Sequence, residues 1–286
     1  MIADWFITPF TTNAFMLNAL LAGVLVSVAC GIVGTFVVLR GLAFIGDALA
    51  HGVLPGVAVA MLLGLPGMAG AAAGALGMIF GIGFITRRSN LSSDTAIGLL
   101  FVAMLALGVA IVSRSHSFSG DLVRILFGEI LGIRVYELVI QAAATLAIGA
   151  AAWICHRPFL LLCFSPEQAR VSGFPPRRYH AVMLAMIALT VVVSFRTVGT
   201  LLVFGMLLAP AASAALFSRK VATMILGAIA LGTASVYAGL LASYHFDLAA
   251  GAAVTLAASA IFFILLGARQ LLPGPDPRRA ARGARP

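Results

Sequence analysis

Asp47 and His51 are the residues in this chain best suited to chemistry. They lie in GLAFIGDALAHGVLPGVAVAMLLGL (41–65), an otherwise apolar stretch long enough to cross a bilayer. An ionised carboxylate near the middle of a span costs about 2.5–3.5 kcal/mol on insertion scales, and intramembrane ionisable residues mark transport paths more often than structural ties. Positions i and i+4 of a helix share a face, so both side chains reach one point. One carboxylate oxygen and one imidazole nitrogen make a half-shell for a first-row divalent metal ion. Pro55 has no N–H to offer the carbonyl of His51, which leaves a hard oxygen at the same depth. Gly46 and Gly52 allow a neighbouring helix or the ion to come close. The competing reading is a hydrogen-bonded pair that only ties helices together; the transport reading is preferred.

The other candidates are weaker. Pro210, in VGTLLVFGMLLAPAASAALF (198–217), should free the carbonyl of Met206 and kink its helix, with a packing role favoured. His116, His156 and His180 read as solvated loop residues, and His245 with Asp247 as an outer turn, YHFDL. Asp94, with Ser92 and Ser93, opens a helix as an N-cap region. Cys30, Cys155 and Cys163 read as free thiols. No G-x-x-x-x-G-K-[ST] motif occurs, and the single lysine, Lys220, sits in FSRKV, so the chain has no P-loop of its own. Neither G-x-S-x-G nor H-E-x-x-H is present, and nothing points to a hydrolase.

The elements that must position Asp47 and His51 follow from composition. Of 286 residues, 62% are hydrophobic and only 9% charged, and the mean hydropathy is +1.12. A soluble domain carries about 25% charged residues. Runs of about 20 apolar residues recur, which predicts an all-α, polytopic transmembrane helical bundle rather than a barrel. The apolar spans read as 15–39, 41–65, 67–86, 94–113, 136–155, 181–195, 197–217, 221–242 and 248–268. That gives nine, or eight if the crowding around Arg196 merges two of them. Residues 1–270 are expected to form one transmembrane domain, and 271–286 a disordered basic tail near anionic headgroups. The start, MIADWFITPFTT, lacks the basic opening of a signal peptide, so the first span is expected to be kept.

The net charge of +9 lies in short gaps between spans, which fits the positive-inside rule better than nucleic acid. Fourteen basic residues, among them Arg40, Arg87, Arg88, Arg157, Arg170, Arg177, Arg178, Arg219 and Lys220, fall on one side of the nine-span alternation. Four, Arg114, Arg124, Arg134 and Arg196, fall on the other. The richer side is read as cytoplasmic, with the N-terminus outside and the C-terminus inside. The outer segment 114–135 suits a short interfacial helix. In the inner segment 156–180, Ser165 is a good N-cap, Pro166 suits the first helical position and Glu167 complements the dipole. Gly173 and Pro175–Pro176 end the helix, which should run over about 166–172. Such a helix is either a handle for another protein or a well-capped loop.

GLAFIGDALAHGVLPGVAVA (41–60), SSDTAIGLLFVAMLALGVAI (92–111), FSPEQARVSGFP (164–175), VGTLLVFGMLLAPAASA (198–214) and the less specific FDLAAGAAVTLAAS (246–259) resemble the membrane permease subunit of bacterial zinc/manganese-type ABC importers. Ala50 stands where the family pattern has Ser. The resemblance implies a homodimer of permeases, two ATP-binding cassette ATPases on the cytosolic side, and a binding protein that delivers the ion from outside. It places the intramembrane metal site on Asp47 and His51. It places the ATPase-coupling helix on about 165–174, with Ser165, Glu167, Arg170 and Gly173. Transported Zn²⁺ or Mn²⁺ would be cargo, with no permanently bound cofactor and no enzymatic activity in this subunit. The rivals are a permease for a siderophore or cobalamin chelate, an ion-coupled secondary transporter using Asp47 as a relay, and a non-transporting scaffold. Zinc is slightly preferred on intrinsic affinity.

Overall fold

The computed structural model describes residues 2–89, 91–113 and 130–271, and among these there are helices and no strands. In chain order they are α1 (Ile2–Thr12), α2 (Ala14–Leu39), α3 (Ala43–Gly52), α4 (Leu54–Leu62), α5 (Gly67–Arg88) and α6 (Ser93–Ser113). A 3₁₀ turn (Ile130–Gly132) precedes α7 (Val135–Ile154), α8 (His156–Phe164), α9 (Pro166–Val171), α10 (Pro176–Ala215), α11 (Val221–Phe246) and α12 (Ala250–Leu271). The outer segment expected as a surface helix lies, apart from that turn and its last residues, outside the described residues, as does the tail beyond residue 271.

Eight helical segments of the described residues are long and apolar enough to cross a membrane; α3 and α4 together make one of them, Ala43–Leu62. A ninth apolar arm, Leu202–Ala215, is shorter. Its 14 residues reach about 21 Å, less than a hydrocarbon core of about 30 Å. The sequence reading set two crowded spans around Arg196; the structure gives the two arms of α10, joined at Gly199. With φ 74° and ψ 166°, Gly199 holds a backbone conformation that L side chains rarely adopt. The kink expected at Pro210 is therefore found at Gly199, and the helix continues through Pro210 to Ala215.

The contacts show that the chain doubles back there. The Pro176 end lies beside α9, through Phe174 and Tyr179, whose rings meet edge to face at 5.7 Å. Ser194 lies against Gln141 in the second turn of α7. Ala211 and Ala214 then pack with Val38 and Leu39, the last turn of α2. Since α7 and α8 run alongside α2 in the same sense, with Thr145 at Leu25 and Phe159 at Phe36, the second arm returns to the end from which the first set out.

Helix α2 is the hub, packed against α7, α10 and α11. Its most apolar window is 67% buried, against 17% for α6, which turns its leucines and valines outward. An exposed apolar face of this extent suits lipid or another membrane helix as its solvent. Small residues set the tightest contacts. A Cβ on Gly34 would run into the carbonyl of Leu207, so α2 and the second arm of α10 lie in close backbone contact there. Gly56 of α4 and Gly70 of α5 each abut the other's backbone.

Three helix ends share one stop. Leu42 N–H bonds Val37 O, Leu65 N–H bonds Ala60 O, and Phe174 N–H bonds Ala169 O. In each, the preceding glycine (Gly41, Gly64, Gly173) has positive φ, the Schellman arrangement. The stop expected at Gly173 is of this type.

Candidate functional site

Asp47 and His51 occupy one face of α3, and α3 packs against α6 and α10. Ile45, Ala48, Leu49 and Ala50 fill the opposite, buried side. His51 Nε2 lies 3.4 Å from Asp47 Oδ1, and each side chain keeps 25% of its exposure. The pair is thus half-open and reachable, neither sealed nor closed into a short bond. His51 Nδ1 is buried and has no hydrogen-bond partner. Val53 N–H bonds Leu49 O at 3.2 Å, and the missing N–H of Pro55 leaves the helix to restart as α4 just beyond His51. Among the described residues, no group of three or more His, Cys, Asp or Glu side chains converges. Asp47 and His51 therefore stand as a pair, both from α3.

Phe101 of α6 is a neighbour that sequence reasoning missed. Its ring meets the His51 ring edge to face at 5.7 Å and the Phe44 ring at 5.5 Å. Phe44, Asp47 and His51 are spaced three and four apart, so one face of α3 presents aromatic, acid and imidazole in turn. Nothing in the run SSDTAIGLLFVAML distinguishes Phe101 from any lipid-facing aromatic. Its role depends on which face of α6 meets α3, a tertiary fact.

The short helix α9 forms as punctuated. Gln168 N–H donates to Ser165 Oγ at 3.3 Å, Pro166 opens the helix, and Glu167 sits in its first turn. Arg170 lies in the last turn and Gly173, at φ 83°, ends it. Ala169 is the one buried residue of the helix, while Glu167, Gln168, Arg170 and Val171 are exposed. The six-residue helix is thus capped at both ends and keeps an exposed outer face. Ahead of it, α8 holds Cys163, whose thiol burial pushes up while the nearby Arg40 guanidinium draws it down. Cys155, at the start of α8, is raised by burial alone.

The remaining candidates find local partners. His245 stacks flat on Trp5, ring centroids 3.8 Å apart, with Nε2 3.1 Å from the Trp5 carbonyl. Tyr237 Oη donates to the Phe6 carbonyl, so these two residues strap α1 to α11. Asp247 takes the left-handed conformation that ends α11. His156 and His180, read as loop residues, instead lie in helices α8 and α10, and His116 lies outside the described residues. Ser92 caps α6, accepting from Thr95 N–H at 3.1 Å. A polar face on α7 was not anticipated: Glu137, Gln141 and Thr145 are buried at helical spacing, and Gln141 Nε2 donates to Ser194 Oγ at 3.3 Å.

The polytopic helical bundle is of the ABC importer permease type, as its likeness to known proteins shows. The chain belongs to the ABC 3 transport family, whose model matches residues 12–268. It is 38% identical over 259 residues, 91% of this chain and 92% of the relative, to the manganese transport system membrane protein MntC of Listeria innocua. It is 36% identical to the "probable iron transport system membrane protein" of Haemophilus influenzae, covering 92% of this chain and 96% of the relative. Among solved structures, PsaBC from Streptococcus pneumoniae in complex with Fab matches with a TM-score of 0.82 and 36% identity, over 93% of this chain and 95% of that one. The chain is accordingly a transport subunit, and ATP hydrolysis belongs to a separate subunit.

Proposed function

We propose that this chain imports a divalent metal ion by alternating access, with Asp47 and His51 as the intramembrane station. The observation that carries this is the 3.4 Å Nε2–Oδ1 separation within a quarter-exposed pair in the first half of the span Ala43–Leu62. Ligands about 2.1 Å from an ion stand about 3.0 Å apart at right angles and about 3.4 Å apart at the tetrahedral angle. The pair therefore has the spacing to hold one ion with little rearrangement. Two protein ligands hold it loosely, as a station that must release its cargo requires; water, the His51 carbonyl or a second copy of the chain supply the rest. Mn²⁺ is put ahead of Zn²⁺ as cargo, because the relatives named above are manganese and iron systems while a mixed oxygen–nitrogen pair accepts any of these ions.

The working assembly is two permeases, two ATPases that grip Ser165–Gly173 from the cytosol, and a binding protein at the outer face. The N-terminus is outside and the C-terminus in the cytoplasm of the plasma membrane. ATP binding and hydrolysis move α9, which opens the station inward.

The test is reconstitution with the cognate ATPase and binding protein. Mn²⁺ uptake and metal-stimulated ATPase are measured for wild type, Asp47→Ala and His51→Ala. Each variant should lose at least about 100-fold in uptake while assembling normally, a loss in the range expected when a metal's immediate environment is broken. Normal uptake by both correctly folded variants rejects the station.

A further inference from the structure

We propose that Arg40 is a positioning residue that links the α8–α9 hairpin to the metal-station helix α3, so that movement of α9 is delivered to Asp47 and His51 through one side chain. This rests on the reading above, in which α9 meets the ATPase. The need for Arg40 starts at a proline. In a continued helix the carbonyl of Leu162 would accept from residue 166, but residue 166 is proline and has no N–H. Leu162 is buried, and a buried carbonyl without a donor costs about 1–3 kcal/mol. Arg40 Nη1 supplies the bond at 3.1 Å, from 122 residues away in sequence. A guanidinium also suits the negative end of a helix dipole.

The other end of the link is covalent. Arg40 closes α2, Gly41 turns the chain with φ 64°, and α3 begins at Ala43, four residues before Asp47. A Cβ at Gly41 would meet nothing within 4 Å, so the turn itself is open, while Leu42 and Ile45 on its far side are packed into the core and carry any displacement into α3. Phe36 and Phe159, edge to face at 5.2 Å, add an apolar grip between the same two bodies. A shift of α9 therefore moves the Leu162 carbonyl, draws on Arg40, and re-aims the first turn of α3. A change in the Asp47–His51 separation is the output. The physical warrant for such coupling is a single element that both sites bias.

The complete transporter, reconstituted with its ATPase and binding protein, tests this with Mn²⁺ as probe. Arg40→Gln should keep basal ATP hydrolysis within about twofold and Mn²⁺ binding by the detergent-purified complex unchanged. Metal stimulation should be lost, and Mn²⁺ moved per ATP should fall about tenfold, the scale of one charge-assisted hydrogen bond. Arg40→Lys, which keeps the charge but not the fork, should fall between. An unchanged transport-to-hydrolysis ratio in folded Arg40→Gln overturns the proposal. Should that variant not assemble, hydrogen exchange on the wild-type complex decides: adding nucleotide should change protection in 164–172 and 41–46 together, and a change confined to the first segment overturns the link. Asp47→Ala in parallel separates the two ideas. If it transports normally the station fails; if it abolishes transport while Arg40→Gln stays coupled, only this link fails.

Discussion

Pro55 and Pro166 create the same vacancy in two parts of the molecule, and the molecule treats them differently. Each lies four residues after a carbonyl it cannot serve, that of His51 in one case and Leu162 in the other. The Leu162 carbonyl is met by Arg40 at 3.1 Å. The His51 carbonyl meets only the nearby Val53 N–H, beside a half-open carboxylate–imidazole pair, and no distant side chain crosses to it among the described hydrogen bonds. A third proline, Pro210, sits in a helix that runs on through it. The lesson is that a freed carbonyl has no fixed meaning. At the α8–α9 junction it is met by a distant guanidinium; beside Asp47 and His51 it is met by no distant side chain among the described hydrogen bonds; in α10 the helix runs on past it.

Replacing the prolines is the sharpest way to break that comparison. Pro55→Ala returns an N–H to the carbonyl of His51 and should fuse α3 and α4 into one helix. An interior proline costs a helix about 3 kcal/mol, so the thermal midpoint of the variant should hold or rise. Mn²⁺ uptake should nevertheless drop by about tenfold, with tighter helix and poorer transport in the same protein. Equal uptake by wild type and variant would mean that the His51 carbonyl takes no part in handling the ion, and would reduce the contrast with Leu162 to an accident of sequence.

On the mechanical side the expected effect is smaller. Ser165→Ala removes the side chain that receives Gln168 N–H at 3.3 Å. Loss of an N-cap costs about 1 kcal/mol, so α9 should fray in part of the population rather than vanish. Metal-stimulated ATPase should fall by about fivefold with basal hydrolysis and assembly intact. A stimulation ratio equal to wild type would show that α9 needs no pre-formed first turn to engage its partner.

These two regions also differ in how far the sequence revealed them. The start, stop and length of α9 were legible because they depend on neighbours in the chain: Ser165, Pro166, Glu167 and Gly173 act within one another's reach. The i,i+4 placement of Asp47 and His51 was legible for the same reason. Arg40 read only as a basic residue in a tight junction, because its partner is 122 residues away and its need for one arises from Pro166. Phe101 carried no local mark either. The break in α10 was legible to within three residues, since spans 181–195 and 197–217 meet at Arg196 and the turn is at Gly199; its geometry was not, because it rests on the positive φ of one glycine. Pro210 gave a local signal for a kink and was overridden by packing, for it is buried within a helix braced by the Ser213–Ala209 hydrogen bond at 2.7 Å. Helix α1 was not anticipated, since Trp5 meets His245 across 240 residues of sequence.

The smallest expected effect reads the Arg40 junction through a thiol. Burial raises the pKa of Cys163 and the Arg40 guanidinium opposes that rise, whereas Cys155 feels burial alone. The thiolate is the form that reacts with alkylating agents. Arg40→Gln removes the opposing charge, so the pKa of Cys163 should climb further. At a fixed mildly alkaline pH the thiolate fraction then shrinks, and Cys163 alkylation should slow by a few-fold, its rate profile displaced to higher pH. Cys155 provides the internal reference, and its profile should not move. A Cys163 profile that stays in place while Arg40→Gln is folded would put the guanidinium farther from α8 than the Leu162 bond requires, and the attachment of α8 to the α2–α3 corner would then rest on Phe36 and Phe159 alone.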